Sequence, residues 1–188
     1  MRYACNSVRA DEIRSMNEEE ATAALHAGFK DKFQKAPEAA RITLRAQGSI
    51  TQGGTCRIET NNSNKEAGLH PAMGGDGLSA CAGDMLLEAL VACAGVTLTQ
   101  VARAMEIELR SGDIDAEGGV DFRGSLGLSK EVPVGLQNVR LHFHLDSDAT
   151  EEQLAAMVRL TERFCVVSRT LNPPAKITYS SVAKGTGS

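Results

Sequence analysis

Two cysteines stand in settings that invite chemistry. Cys93 lies inside the apolar run Met85 to Leu98, and Cys165 opens the segment Cys165-Val166-Val167-Ser168-Arg169-Thr170-Leu171. A thiol on an apolar helix can be filler, because free cysteine packs as a small hydrophobe. A thiol at a helix start faces the positive end of the helix dipole, which favours thiolate. Brought together by the fold, the two would make a dithiol redox pair. In such a pair one thiolate can be oxidised to a sulfenic acid, and the other thiol can condense with it to a disulfide. An external dithiol reductant would restore both by exchange. Burial raises a thiol's pKa, so this chemistry also calls for a cation near Cys93.

Other residues offer weaker signals. Arg57 and Arg45 fall on early alternating segments, and each reads equally as a solvated strand residue or as that cation. Arg57 is the stronger candidate because it leads into the long loop before the Cys93 run. Glu88 stands in apolar surroundings, so its carboxylate needs a partner, as an ion-pair member or as part of the site. His70, in the loop just ahead of the apolar run, reads as a pocket residue that assists a leaving alkoxide or as a bystander. His142 and His144 share one face of an alternating segment. That spacing can ligate a metal, but the pattern assures no third ligand, so a solvent-facing pair is the reading and neither metal nor cofactor is expected. Gly75-x-Gly77-x-x-Ala80 lacks the strand and βαβ unit of a dinucleotide fingerprint.

The elements that position these residues follow from length and pattern. At 188 residues the chain can bury one core. A formal charge of −4 and a pI near 5.6 leave no electrostatic footprint for nucleic acid. Residues 1–9 carry no apolar signal-peptide core, and five cysteines without a CxxC suggest no disulfide framework, so a reducing cytoplasm is expected. The longest apolar run, residues 85–98, falls short of a membrane span, so no membrane is expected. Residues 17–36 predict a helix capped by Asn17 and ended by Pro37. Arg41–Ala46 and Thr55–Thr60 alternate as strands of a hairpin turned at Gln52-Gly53-Gly54. Residues 61–80 read as a polar loop, and residues 82–105 as a helix apolar almost all round, hence enclosed. Extended segments at 107–124 and 136–145 precede a helix opened by Thr150 and running through Phe164. A short helical piece, Cys165 to Leu171, and a last strand, Lys176 to Ser180, complete the chain. The order β-β-α-β-β-α-β predicts an α+β fold. The expected division is an N-terminal helical extension at 1–37, a main domain at 38–184 and a flexible tail at 185–188.

The settings of both cysteines resemble the OsmC/Ohr family of osmotically inducible and organic-hydroperoxide-resistance proteins. That family carries a pattern like E-L-L-x-A-A-L-x-A-C on a central helix, read here as Asp84 through Cys93, and a later C-P-V-S-[KR]-x-L, read here as Cys165 through Leu171. The resemblance spans roughly residues 40 to 183, with Asp84 where the family has glutamate and Val166 where it has proline. It implies antiparallel sheets wrapped around long central helices in an intertwined homodimer. It also implies reduction of hydroperoxides, with Cys93 peroxidatic and Cys165 resolving. Organic substrates are favoured over hydrogen peroxide because the Cys93 surroundings are apolar. Asp84 aligns with the family's glutamate, which pairs with an arginine. On a straight helix, however, nine residues turn about 900° and rise about 13 Å, so Asp84 would reach Cys93 only through a bridging side chain or a partner chain. Its other reading is helix N-terminal capping. A non-catalytic protein that binds a small hydrophobic ligand remains the alternative.

Overall fold

The computed structural model describes residues 17–59 and 64–182. Two compact units divide between Ala46 and Gln47. Cys5, the rest of the extension at 1–16, part of the expected loop at 61–63 and the tail at 185–188 lie outside the described residues.

In the first unit, helix α1 spans Glu18–Lys35. The Asn17 side chain accepts from the Glu20 amide at 2.9 Å, and the Glu20 carboxylate accepts from the Asn17 amide at 3.1 Å, a reciprocal cap. Pro37 opens a 3-10 turn, Pro37–Ala40, after the helix has ended. The strand expected at Arg41–Ala46 does not form. Residues 41–46 are irregular, with Leu44 89% exposed.

The first strand begins instead at Gln47, in the second unit. Its hairpin pairs β1, Gln47–Ile50, with β2, Cys56–Glu59, around a turn stitched by Thr51 and Thr55 (Oγ1 to Oγ1, 2.7 Å). The turn sets the register, Ile50 opposite Cys56 and Gln47 opposite Glu59. The expected loop also contains structure: β3, Asn64–Gly68, pairs antiparallel with β2, and the two-residue β4, Ala80–Cys81, pairs parallel with β3. Between them Gly75 permits a tight fold-back, because a Cβ there would stand 1.8 Å from the Leu69 carbonyl oxygen.

Helix α2, Ala82–Ala104, is the axis of this unit. It is long and apolar enough to cross a membrane by length and composition, which the sequence-based limit of residues 85–98 understated. Its Leu90, Ala94, Leu98, Val101 and Ala102 are nevertheless buried in the core cluster, as expected of a core helix. Sheet β5 (Ser111–Gly119), β6 (Gln137–Asp146) and β7 (Lys176–Val182) supplies Leu141, Phe143 and Leu145 to that core. The one-turn helix α3, Phe122–Ser125, lies between β5 and β6. The amphipathic helix α4, Glu151–Phe164, adds Leu154, Met157 and Val158, and starts on the expected Thr150–Gln153 reciprocal cap. Because the chain returns from β6 through α4 and the short helix α5, Val166–Thr170, β7 runs parallel to β6. The α+β fold is as expected, and its sheets are mixed: the expected antiparallel pairs are joined by the parallel pairs β3–β4 and β6–β7. Within one chain α2 is covered on one side only, with Leu86 39% and Val96 65% exposed.

Candidate functional site: a dithiol at the junction of α2 and α5

The fold brings Cys93 and Cys165 into contact. Cys93 sits mid-way along α2, one residue before the buried Ala94 and itself half-buried. Cys165 is fully buried at the junction where α4 ends and α5 begins. Its amide donates to the Thr161 carbonyl (2.8 Å), and its carbonyl accepts from the Arg169 amide (3.0 Å), so the backbone on both sides is held. The two sulfurs lie close enough for each to shift the other's titration.

The two thiols are electrostatically unequal. Burial pushes Cys93 up, but hydrogen bonds from the Val167 amide, the Cys165 thiol and the Val166 amide outweigh it, and the net direction is down. The Thr97 hydroxyl also stands against this sulfur, yet it donates to the Cys93 carbonyl at 2.8 Å and has one proton to give. The weight therefore rests on the amides and on Cys165. For Cys165, burial pushes the thiol up, and the adjacent Cys93 adds to that rise despite an opposing Ser168 amide. This reverses the sequence expectation that the helix start would favour a Cys165 thiolate. The first amides of α5 do favour a thiolate, but two of them point at Cys93. Ser168 is fully buried, and its hydroxyl has no hydrogen-bond partner among the described residues.

None of the leading influences on Cys93 is a cation. Arg57 lies on the exposed face of β2, in register with Ser49 and Glu66, and makes no ion pair among the described residues. Asp84 is exposed in the first turn of α2, likewise without an ion pair among the described residues. Glu88 pairs with Lys65 of β3 at 3.0 Å, with both side chains about half exposed, so it is an ion-pair member away from the thiols. His70 caps a 3-10 turn, its Nδ1 accepting from the Ala72 amide at 3.1 Å, and its ring lies 5.4 Å from that of Phe122. Cys56 and Cys81 are free and half-buried.

The backbone donors of Val166 and Val167 were invisible to residue-type reasoning, since every residue but proline carries an amide. Thr97, four residues beyond Cys93, could have been found from helical spacing.

Residues 75–180, more than half of the chain, match the family described as OsmC-like protein, and the chain belongs to that family. Its fold is similar to that of the OsmC-like protein from Mycoplasma pneumoniae (TM-score 0.63, 15% identity, covering 76% of this chain and 97% of that one). It is also similar to an organic hydroperoxide resistance protein from Elizabethkingia anophelis (TM-score 0.61, 18% identity, 76% and 99% covered). A third similar structure is the organic hydroperoxide resistance protein OsmC from Legionella pneumophila (TM-score 0.57, 16% identity, 76% and 98% covered). No curated protein matches the sequence. At these identities the structural likeness establishes the α+β fold.

Proposed function

We propose that this protein is a thiol peroxidase that reduces organic hydroperoxides. The observation that carries the reading is the unequal thiol pair: Cys93 has its pKa lowered by amide donors, while Cys165 is held protonated against it. The names of the Elizabethkingia and Legionella structures, both organic hydroperoxide resistance proteins, point to the same chemistry.

In this scheme the Cys93 thiolate attacks the outer oxygen of ROOH. The S–O bond forms as the O–O bond breaks, and the alkoxide leaves as ROH after taking a proton. Cys93 is now a sulfenic acid. Cys165, already in contact, attacks that sulfur, forms the disulfide and releases water. An external dithiol transfers two electrons and two protons to the disulfide and is itself oxidised to a disulfide. A reducing compartment, the cytoplasm in our reading, keeps the resting pair as thiols.

The active unit in this proposal is a homodimer. Leu86, Ala89, Ala92 and Val96 are exposed along the side of α2 away from its buried residues, and a second copy would cover them. Arg57 and Asp84, both exposed in one chain, are then available to a neighbouring Cys93.

The test is anaerobic treatment with one equivalent of cumene hydroperoxide. Two thiols should disappear, and mass mapping should find a Cys93–Cys165 disulfide. In Cys165→Ser, a dimedone probe should label Cys93 as sulfenic acid. Unchanged thiol counts and no label would overturn the reading. One observation favours a second reading, binding of a small apolar ligand: a cavity of about 280 Å³ lies between α2 and the sheet, lined by Leu98, Leu109, Ile114 and Leu145 among others. Neither thiol lines it, so such a ligand would still bind Cys93→Ser.

A further inference from the structure

The outward face of the β5–β6–β7 sheet carries a second cluster of reactive side chains that the dithiol does not use. His142 and His144 alternate outward on β6, their ring centroids 4.5 Å apart. His142 Nε2 lies 3.2 Å and His144 Nδ1 3.3 Å from one atom, the Ser180 hydroxyl oxygen on β7. Two imidazole nitrogens thus converge on a single point. Each ring is held from behind: His144 Nε2 contacts the Asp115 carboxylate at 2.7 Å, and His142 Nδ1 contacts the Thr178 hydroxyl at 2.6 Å. The strand register makes the arrangement possible, with Asp115 and Thr178 opposite His142, and Asp113 and Ser180 opposite His144.

Proton counting shows what the cluster can accommodate. A carboxylate accepts and does not donate, so the His144 proton belongs on Nε2 and its Nδ1 lone pair faces Ser180. Without a ligand, Thr178 can donate to His142 Nδ1, His142 Nε2–H to Ser180, and Ser180 to His144 Nδ1. Every group is then satisfied. The Thr178 hydroxyl can equally accept, however, so the His142 proton can move to Nδ1 with no loss at that nitrogen. Both inward nitrogens are then lone pairs aimed at one place, and both outward nitrogens donate to oxygens. A carboxylate behind one imidazole and a hydroxyl behind the other is the outer arrangement that orients metal-bound histidines.

We propose that His142 and His144 form a two-imidazole site for a borderline divalent cation such as Zn²⁺, backed by Asp115 and completed by water. Zinc lies about 2.0–2.1 Å from an imidazole nitrogen, so the ion would sit roughly 1 Å nearer both rings than the Ser180 oxygen, which turns aside or becomes a weak ligand. The nearby charges still favour a cation: Arg140 is paired with Glu117 at 2.7 Å, and Asp113 and Asp115 on this face outnumber the other cation there, Lys176, in register with Arg140. Among the described residues no three His, Cys, Asp or Glu side chains are grouped to enclose a metal. The site is therefore an open surface chelate, distinct from a closed structural centre.

The experiment is a Zn²⁺ titration of the full chain, carrying Cys93→Ser and Cys165→Ser so that the dithiol cannot compete, followed by nitrogen-15 NMR of the imidazoles. One equivalent of Zn²⁺ should move the His142 Nε2 and His144 Nδ1 resonances towards metal-bound values and leave His26 and His70 in place. Competition against a chromophoric chelator should show at least tenfold weaker binding in His142→Ala and in His144→Ala. Asp115→Asn should weaken binding by about tenfold, as loss of an outer-shell carboxylate does. Unmoved His142 and His144 resonances, or alanine variants that bind as tightly as the parent, would overturn the site whatever the outcome for the peroxidase.

Discussion

Replacing Val166 with proline should slow the reaction of Cys93 by removing one backbone donor while leaving the fold intact. Val166 is the first residue of α5, a position proline accepts, and Cys165 before it is extended at φ −69, ψ 107, as a residue preceding proline should be. Its side chain is 68% exposed, so little packing is lost. What disappears is the N–H directed at the Cys93 sulfur. A hydrogen bond to a charged acceptor contributes about 1.5–3 kcal/mol. A diffuse sulfur in a half-buried position belongs near the lower figure. About 1.5 kcal/mol is roughly a tenfold shift towards thiol. A more basic thiolate is also a better nucleophile, with a Brønsted slope of about 0.4–0.5, which returns roughly a factor of three. The net expectation below the titration midpoint is a three- to fourfold slower single turnover with cumene hydroperoxide, and a midpoint moved to higher pH. Stopped-flow rates and ultraviolet thiolate absorbance across pH measure both. Val166→Ala keeps the amide and should behave as the parent. If the proline variant matched the parent in midpoint and rate, the amide would not be holding the thiolate.

Four further outcomes test neighbouring steps. The Cys93 thiolate should make the peroxide rate rise with pH and level off earlier than for an ordinary thiol, since its pKa is lowered. Cys165→Ala, which removes a donor, should move that plateau to higher pH, while Cys165→Ser should move it less; identical profiles would remove Cys165 from the account. Arg57→Ala should change the single-turnover rate less than twofold if the α5 amides suffice, and a tenfold loss would instead make Arg57 a cation delivered across a dimer. Sedimentation at low micromolar concentration should give twice the chain mass of 19.9 kDa; a fully active monomer would remove the shared site.

The elements whose order could be read from sequence are those with a dense, periodic apolar pattern. Helix α4 shows Leu154, Met157, Val158 and Thr161 buried at helical spacing, with its reciprocal cap visible as Thr150-x-x-Gln153. Strand β6 shows Leu141, Phe143 and Leu145 buried in strict alternation. Residues 41–46 alternate just as clearly, yet stay irregular, so alternation by itself does not specify a strand there. The same limit hid β3 and β4, whose polar and small residues carry no pattern of their own.

The dithiol divides along a similar line. That Cys93 and Cys165 would lie together was legible, because two motifs in the expected order mark them, and the resemblance put Cys93 in the attacking role. What lowers the Cys93 pKa was not legible, since that depends on the amides at the start of a five-residue helix. A helix start stabilises whichever anion its N–H groups face, and here the capping cysteine is buried beneath them while its partner on α2 receives two. Val166 was the clue in plain view. Read as a mere departure from the family's proline, it is the substitution that restores an amide hydrogen. That hydrogen joins the larger influences of the Val167 amide and Cys165 in lowering the Cys93 pKa, with no cation among the leading ones.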